Sequence, residues 1–346
     1  RLFDRHGLGS RRATKLLINK IKKIDPDIIH LHHLHGYYIN IEILFEYLSS
    51  ANKPIIWTFH DCWSFTGHCA FFDFVGCEKW KTGCFKCPQK RSYPESWLID
   101  RSKENYSLKK KLFTSVPDIV IVSVSKWLDN LVSESFFKQN NHIVIYNGVD
   151  VNIFKPQEIN ESIRSKYNLT GKYVILGVAS TWDNRKGYKD FVELSKLLSK
   201  DEIIVLIGLN QKQINNLPEN IIGLSRTDNK QELVDLYNIA DVYMNLSVEE
   251  TFGLTTAEAL ACGTPAIVYN ATACPEIVDK DTGIVITKKD IHSVNNAVSK
   301  IKKNGKSYYS DKCHQRVLDN FDEKKKYTGY IQTYENLIKK FQTNIN

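Results

Sequence analysis

Residues 250–265 read Glu250-Thr-Phe-Gly-Leu-Thr-Thr-Ala-Glu258-Ala-Leu-Ala-Cys-Gly-Thr-Pro265. Gly253 admits a backbone turn that a side chain would obstruct, and Thr255 followed three residues later by Glu258 reads as a capping box opening a helix. Gly263 and Pro265 then stop that helix. The amides of its first turn, with the positive end of the helix dipole, form a seat for a diphosphate. Glu250 lies just outside the helix and Glu258 one turn inside, so both can accept hydrogen bonds from sugar or ribose hydroxyls. Taken alone, the segment reads equally well as a capped helix beside a solvated carboxylate.

Upstream lies a second cluster, Ala179-Ser-Thr-Trp-Asp-Asn-Arg185-Lys186-Gly187, directly after the apolar run Tyr173-Val-Ile-Leu-Gly-Val178. In an open α/β sheet, ligands bind beyond the carboxyl ends of strands, where Arg185 and Lys186 can clamp phosphate oxygens. A surface Arg-Lys pair taken singly is more often a solvated face. A third element, His142-Ile-Val-Ile-Tyr-Asn147-Gly148-Val-Asp150 followed by Phe154-Lys-Pro156, reads as a strand, a turn and a linker. Apolar strand runs (26–31, 54–58, 118–124 and 202–207) alternate with helical segments, which predicts an α/β chain with parallel sheets in both halves.

These three segments, in this order and at these separations, resemble the retaining nucleotide-sugar glycosyltransferases of family 4. The likeness spans nearly the whole chain. It implies a GT-B architecture, two Rossmann-like domains facing across a cleft. The family's Glu-x7-Glu pattern is matched by Glu250 and Glu258, its Asn-Gly-Val-Asp turn by residues 147–150, and its Lys-Gly by Lys186-Gly187. By resemblance Glu250 contacts the donor sugar, Glu258 the ribose and Lys186 the diphosphate, with Phe252, Gly253, Leu254 and Thr255 as further donor-binding candidates. The family's Gly-Arg-Leu places an arginine five residues before the lysine, where this chain has Thr181, so either Arg185 substitutes or that contact is lost.

In the amino-terminal half the resemblance points to His60, at the end of Ile55-Ile-Trp-Thr-Phe-His60-Asp61, as the residue facing the donor sugar; without it, a lone histidine at a strand end reads as structural. The implied domains are 1–149 on the acceptor side, 150–324 for the donor, and 325–346 as a helix crossing back to the first domain. Asn147 and Gly148 form the hinge. The implied reaction proceeds on one face of the sugar, with the leaving phosphate helping to deprotonate the acceptor and with Arg185, Lys186 and the helix amides stabilising charge. No cofactor is expected for catalysis. The expected partners are a UDP- or GDP-sugar and a glycan or lipid-linked acceptor, in bacterial surface polysaccharide synthesis, with a cytoplasmic protein that touches the membrane peripherally at most. Rival readings are a nucleotide-sugar epimerase, a non-catalytic sugar-nucleotide-binding subunit and a zinc-containing nucleic-acid-binding protein.

Composition is consistent with this reading. The 346 residues are 42% hydrophobic and 25% charged, which suits two globular domains, and no apolar stretch is long enough to span a bilayer. Residues 1–150 carry 21 Lys and Arg against 15 Asp and Glu, an excess too small to imply a nucleic-acid partner. Arg11, Arg12, Lys15, Lys20, Lys22 and Lys23 flank Leu16, Leu17, Ile18, Ile21 and Ile24, a basic amphipathic pattern that suits either a packed surface helix or an anionic membrane surface. Arg1 opens the chain and Met244 is its only methionine. The family's first strand and glycine-rich loop have no counterpart, because Arg5-His-Gly-Leu-Gly-Ser10 lacks a preceding strand and reads as a turn before a helix, so a fragment is expected.

Five cysteines fall in one segment, at 62, 69, 77, 84 and 87. Cys84-Phe-Lys-Cys87 is a Cys-x2-Cys knuckle that Cys69 and Cys77 can complete as a four-thiolate zinc site, although the spacing from 69 to 77 is not that of a standard finger. Disulfides and packed thiols are the alternatives. His30, His32, His33 and His35 form another dense group, read as cleft lining with a polar core role for His30 and not as a metal site. Near the carboxyl end Tyr327, Tyr330, Ile331, Tyr334 and Leu337 recur at helical spacing and are expected to pack into a core.

Overall fold

Runs of β-branched and aromatic residues set the strands of the first unit: Ile29–Leu31 (β1), Ile55–Phe59 (β2), Ile119–Ser123 (β3) and Asn141–Val144 (β4), all parallel in the order β1-β2-β3-β4. The computed structural model describes residues 2–345, and this unit runs to Tyr146 and resumes at Thr328, with Asn147–Tyr327 forming the other. Every residue of β2 and β3 is buried, as a parallel sheet covered on both faces requires. On one face Trp57 packs among Phe45, Phe59 and Phe113 with ring centroids 4.8–5.4 Å from its own. On the other, Ile56, Val120, Val122 and Ile145 receive Tyr330, Tyr334 and Leu337 of the helix Glu323–Ile345. Only that stripe packs: Tyr327 and Ile331, expected in the core, are 59% and 53% exposed. The 3.6-residue period carries them off the buried face.

The basic helix forms at Arg11–Ile24 and lies against the helix Ile41–Leu48. It buries only Thr14 and Ile18, leaving Leu16, Leu17 and Ile24 exposed. Residues 62–101 contain neither strand nor α-helix, only three single 3-10 turns at Trp63–Phe65, Asp73–Val75 and Lys79–Lys81. They fold around Phe65, Phe72 and Trp80, whose rings stand 5.1–6.3 Å apart. Two distant residues pin the segment. Asp4 accepts hydrogen bonds from His68 at 2.6 Å and from the Arg101 amide at 3.0 Å. Lys109 donates to the carbonyls of Trp63 and Thr66 at 2.7 and 3.1 Å.

The second unit is a six-stranded parallel sheet: Tyr173–Val178 (β5), Glu202–Ile207 (β6), Ile221–Leu224 (β7), Val242–Asn245 (β8), Ala266–Tyr269 (β9) and Gly283–Ile286 (β10). Its order is β10-β9-β8-β5-β6-β7. The chain builds outward from β5, then returns to add β8 on β5's other edge, so the loops after β5 and β8 leave the sheet side by side. That reversal is the topological switch point at which doubly wound sheets bind ligands. At the unit's ends Val149 bridges Asp322, with Val149 N–H donating to Phe321 O at 2.7 Å and Glu323 N–H to Val149 O at 3.1 Å. A Cβ on Gly148, a predicted hinge residue, would collide with the Glu323 backbone, so that position is tightly packed. Among the described residues no helix is long and apolar enough to cross a membrane.

Candidate functional site

The loops after β5 and β8 bring Lys186 and Glu250 together across 64 residues of sequence as a half-buried ion pair. Each side is built locally. Asp183 Oδ1 accepts from the amides of Arg185 and Lys186, both at 2.9 Å, folding the turn after β5. Gly187 closes it at φ 77°, where a Cβ would strike the Leu246 carbonyl, so a side chain here is excluded by both backbone conformation and space. Arg185 Nη1 donates to Glu249 O at 3.0 Å, and Val248 N–H donates to Arg185 O at 2.9 Å, stitching the two loops together. Glu250 is further held by the Ser247 hydroxyl at 3.1 Å, while its amide donates to Thr272 Oγ1 at 2.8 Å.

The helix that follows spans Leu254–Ala261. The expected capping box does not form. Gly253, at φ 101°, is the N-cap and offers no side chain. Thr255 Oγ1 instead accepts the Tyr243 hydroxyl at 2.7 Å, and Glu258 Oε2 accepts the Tyr237 hydroxyl at 2.8 Å. The N-terminus is therefore left without side-chain capping and its dipole favours an anion, while the Thr256 and Ala257 amides are taken by Gly253 O. Burial raises the Glu258 carboxyl to about 7 despite the Tyr237 hydrogen bond. Leu254 is exposed and Thr255 half-buried, whereas Phe252 is buried against Phe321 with ring centroids 5.6 Å apart and so supports the loop by packing.

In the first unit a histidine cluster lies beyond the carboxyl ends of β1 and β2. His60 and His32 stand 3.0 Å apart between Nε2 and Nδ1. Burial, then the charges of His33 and His32, push His60 down to about 4. Asp61 anchors the group: its Oδ2 lies 2.7 Å from His35 Nε2 and 3.5 Å from His33 Nδ1, and its Oδ1 accepts the Trp63 amide at 2.9 Å. Burial alone would raise the Asp61 carboxyl, but hydrogen bonds from His33 and His35 outweigh it and hold it well below the usual range, while Asp61 raises His33 in turn. His33, His35 and Asp61 place one ligand atom each within 4.8 Å of one another, the one such group among the described residues. His30 is satisfied at both nitrogens, by Tyr334 at 2.7 Å and Thr58 at 2.8 Å.

Sequence reasoning missed a cavity of about 260 Å³ lined by Tyr37, Arg91, Tyr93 and Glu95 among others. It adjoins the cluster through the Tyr93 hydroxyl, 3.1 Å from His35 Nδ1. Its residues come from segments more than fifty positions apart and carry no motif. Asp183, Thr272 and Tyr237, which position the predicted residues, were missed too. Of these only Asp183 left a signal, as an Asx turn two residues before Arg185.

Residues 1–153 match the family model described as Glycosyltransferase Family 4, and residues 159–316 the one described as Glycosyl transferases group 1. The chain is 27% identical over 300 residues to WcaC of Escherichia coli (strain K12), a protein named as a colanic acid biosynthesis glycosyl transferase, covering 84% of this chain and 71% of that one. It is 24% identical to the N-acetyl-alpha-D-glucosaminyl L-malate synthase of Bacillus anthracis over 64% of its own length, spanning 60% of that relative. Among solved structures, Anabaena HepE in complex with UDP and glucose superposes with a TM-score of 0.66 at 15% identity, over 92% of this chain and 81% of that one.

Proposed function

Because the chain belongs to the GT-B glycosyltransferases, with a family 4 amino-terminal half and a group 1 carboxyl-terminal half, we propose that it moves a sugar from a nucleotide-sugar donor to a glycan or lipid-linked acceptor, with retention at the anomeric carbon. The observation that carries the reading is the Lys186–Glu250 ion pair at the switch point of the second unit, beside a helix N-terminus that no side chain caps. The donor diphosphate seats at that N-terminus and takes Lys186 as its counter-ion. Glu250, released from Lys186, accepts from hydroxyls of the donor sugar, and Glu258 accepts from the ribose. The bond between the anomeric carbon and the phosphate oxygen breaks as the acceptor oxygen bonds to the same face. The acceptor proton passes to the departing phosphate oxygen. Lys186, Arg185 and the helix dipole stabilise the charge that develops on that phosphate.

His60, which the family resemblance assigns to the donor sugar, is held at about 4, so it is neutral at physiological pH and offers a hydrogen bond without adding a charge. The cavity lined by Tyr37, Arg91, Tyr93 and Glu95 has the aromatic and charged character of an acceptor sugar subsite. Polysaccharide synthesis is supported by the likeness to WcaC, and a UDP-linked donor by the ligands named for HepE. The exposed Leu16, Leu17 and Ile24, set among six basic residues, suit peripheral contact with an anionic membrane. Co-sedimentation with anionic vesicles at low salt is expected, and equal binding to neutral vesicles would count against recognition of an anionic surface by these basic residues.

The donor site is tested by thermal shift with UDP, GDP, ADP and their sugars. A ligand at one hundred times its Kd stabilises the fold by about 2.7 kcal/mol. Stabilisation by one base family, lost in Glu258→Ala, is the expected result; no response to any nucleotide would sink the assignment.

A further inference from the structure

Among the features that sugar transfer leaves unused, the cysteine segment of the first unit is the most organised. Cys69, Cys77, Cys84 and Cys87 all line one small cavity, together with Phe72, Trp80 and Phe85. Cys62, although fully buried, is not among its walls. All four thiols are free. Four soft donors thus converge on one apolar space from a stretch with no strand or α-helix of its own.

The backbone around them is arranged as it is around a metal thiolate. The Gly67 amide donates to Cys84 Sγ at 3.2 Å. The turn from Cys84 to Cys87 is clamped by Lys79, whose ammonium donates to the carbonyls of Phe85 at 3.1 Å and Lys86 at 3.2 Å. The Cys87 amide itself is fixed on Asp100 Oδ2 at 2.6 Å. Amide-to-sulfur bonds of this kind orient ligands and hold negative charge on sulfur.

Charge gives an independent reason. Lys109 is 2% exposed, and its ammonium is held by two neutral carbonyls and by the Trp63 ring, 3.3 Å from the centroid. It stands close enough to Cys84 for their charges to interact. Asp4 and Asp61 offset part of the cost of burying that ammonium, and an anionic centre at Cys84 would add to them. Four thiolates around a divalent ion carry a net charge of about −2.

We propose that Cys69, Cys77, Cys84 and Cys87 bind one zinc ion as a structural tetrathiolate centre that folds residues 62–101. Binding releases the four thiol protons to solvent and changes no oxidation state. No three of these sulfurs lie within 4.8 Å of one another, so the four thiols have to draw together to close around an ion. The proposal is independent of the transfer reaction, and its test uses metal content instead of activity.

The full chain, purified without chelator, is assayed for metal by mass spectrometry and then loaded with Co²⁺. About one zinc per chain is expected, with intense sulfur-to-cobalt charge-transfer absorption in the loaded protein. Cys84→Ser and Cys87→Ser should each lower zinc content roughly tenfold or more, while His33→Ala retains it. Because the serine variants can also lose zinc by failing to fold, the cobalt spectrum of the wild type stands as a separate criterion. Three results overturn the proposal: reduced wild type that takes up no zinc on titration, a disulfide among the four cysteines after native thiol blocking, or zinc that persists in Cys84→Ser and is lost in His33→Ala, which assigns the ion to the histidine triad.

Discussion

The loops around Lys186 and Glu250 in the second unit and residues 62–101 in the first solve the same problem by opposite means. Both hold polar side chains in fixed positions beyond a parallel sheet. In the second unit each loop is folded by neighbours two or three residues away, as Asp183 holds the amides of Arg185 and Lys186 and Ser247 holds the Glu250 carboxylate, and strand order then brings the two loops together. In the first, order comes from residues 43 to 97 positions distant: Asp4 on His68 and Arg101, Lys109 on Trp63 and Thr66. Short-range construction tolerates the loss of one side chain, whereas long-range construction concentrates the fold on a few ties.

If that contrast is right, the largest effect of Lys186→Ala falls on transfer, with kcat/KM lower by about 10²–10³ and the thermal midpoint little moved. A midpoint that drops sharply while the rate holds would reverse the roles assigned to the two regions. Asp4→Asn makes the complementary case. It removes the carboxylate paired with fully buried His68 and should cost about 3 kcal/mol, seen as hydrogen exchange rising across residues 62–101 more than elsewhere. Exchange unchanged there would show that the segment does not depend on this tie.

Acidity separates the units by sign. Burial holds His30 and His60 at about 4 against an ordinary 6.5, so the folded first unit binds fewer protons than the unfolded chain between those values. Its stability therefore rises as pH climbs from 4 to 6.5, by at most about 1.4 kcal/mol per unit for each group, and less after solvent screening. Burial lowers His32 as well; His33, raised by Asp61, offsets part of this. Glu258, raised to about 7, acts the other way: the folded second unit binds more protons from 4.5 to 7, and its stability falls over that window. Hydrogen exchange followed by pH for each unit should show slopes of opposite sign, and Glu258→Gln should flatten the second. Smallest is Tyr334→Phe, which loses one bond to His30 and should cost about 1 kcal/mol in urea unfolding; a neutral result would mean that Thr58 alone fixes that ring.

The same contrast explains what could be read from residues alone. Apolar runs located β2, β3, β5 and β6 to within a residue and left β7, β9 and β10 unread, because burial on both faces of a parallel sheet leaves a continuous hydrophobic signature only where the run is long enough. The Glu250 and Lys186 segments were legible as motifs, but not their pairing, which depends on β8 returning beside β5. The capping box failed because Gly253 took the cap position and two buried tyrosines claimed Thr255 and Glu258, and no local pattern encodes a partner 12 or 21 residues upstream. The cavity at Tyr37, Arg91, Tyr93 and Glu95 left no trace, and neither did the tie from Asp4 to His68, since nothing in spacing announces a contact across 64 residues.

The bridge between Val149 and Asp322 has a modular consequence. Because the second unit enters and leaves the chain at one pinned doorway, residues 147–327 form a cassette inserted into a single host domain, and both flanks can be joined to a homologous block without changing the distance between them. On the proposed donor site, donor choice is then exchangeable as one piece of gene. A chimera carrying a relative's block should fold with the host's acceptor and adopt the guest's nucleotide preference, and a chimera that keeps the original preference would place donor selection outside the cassette.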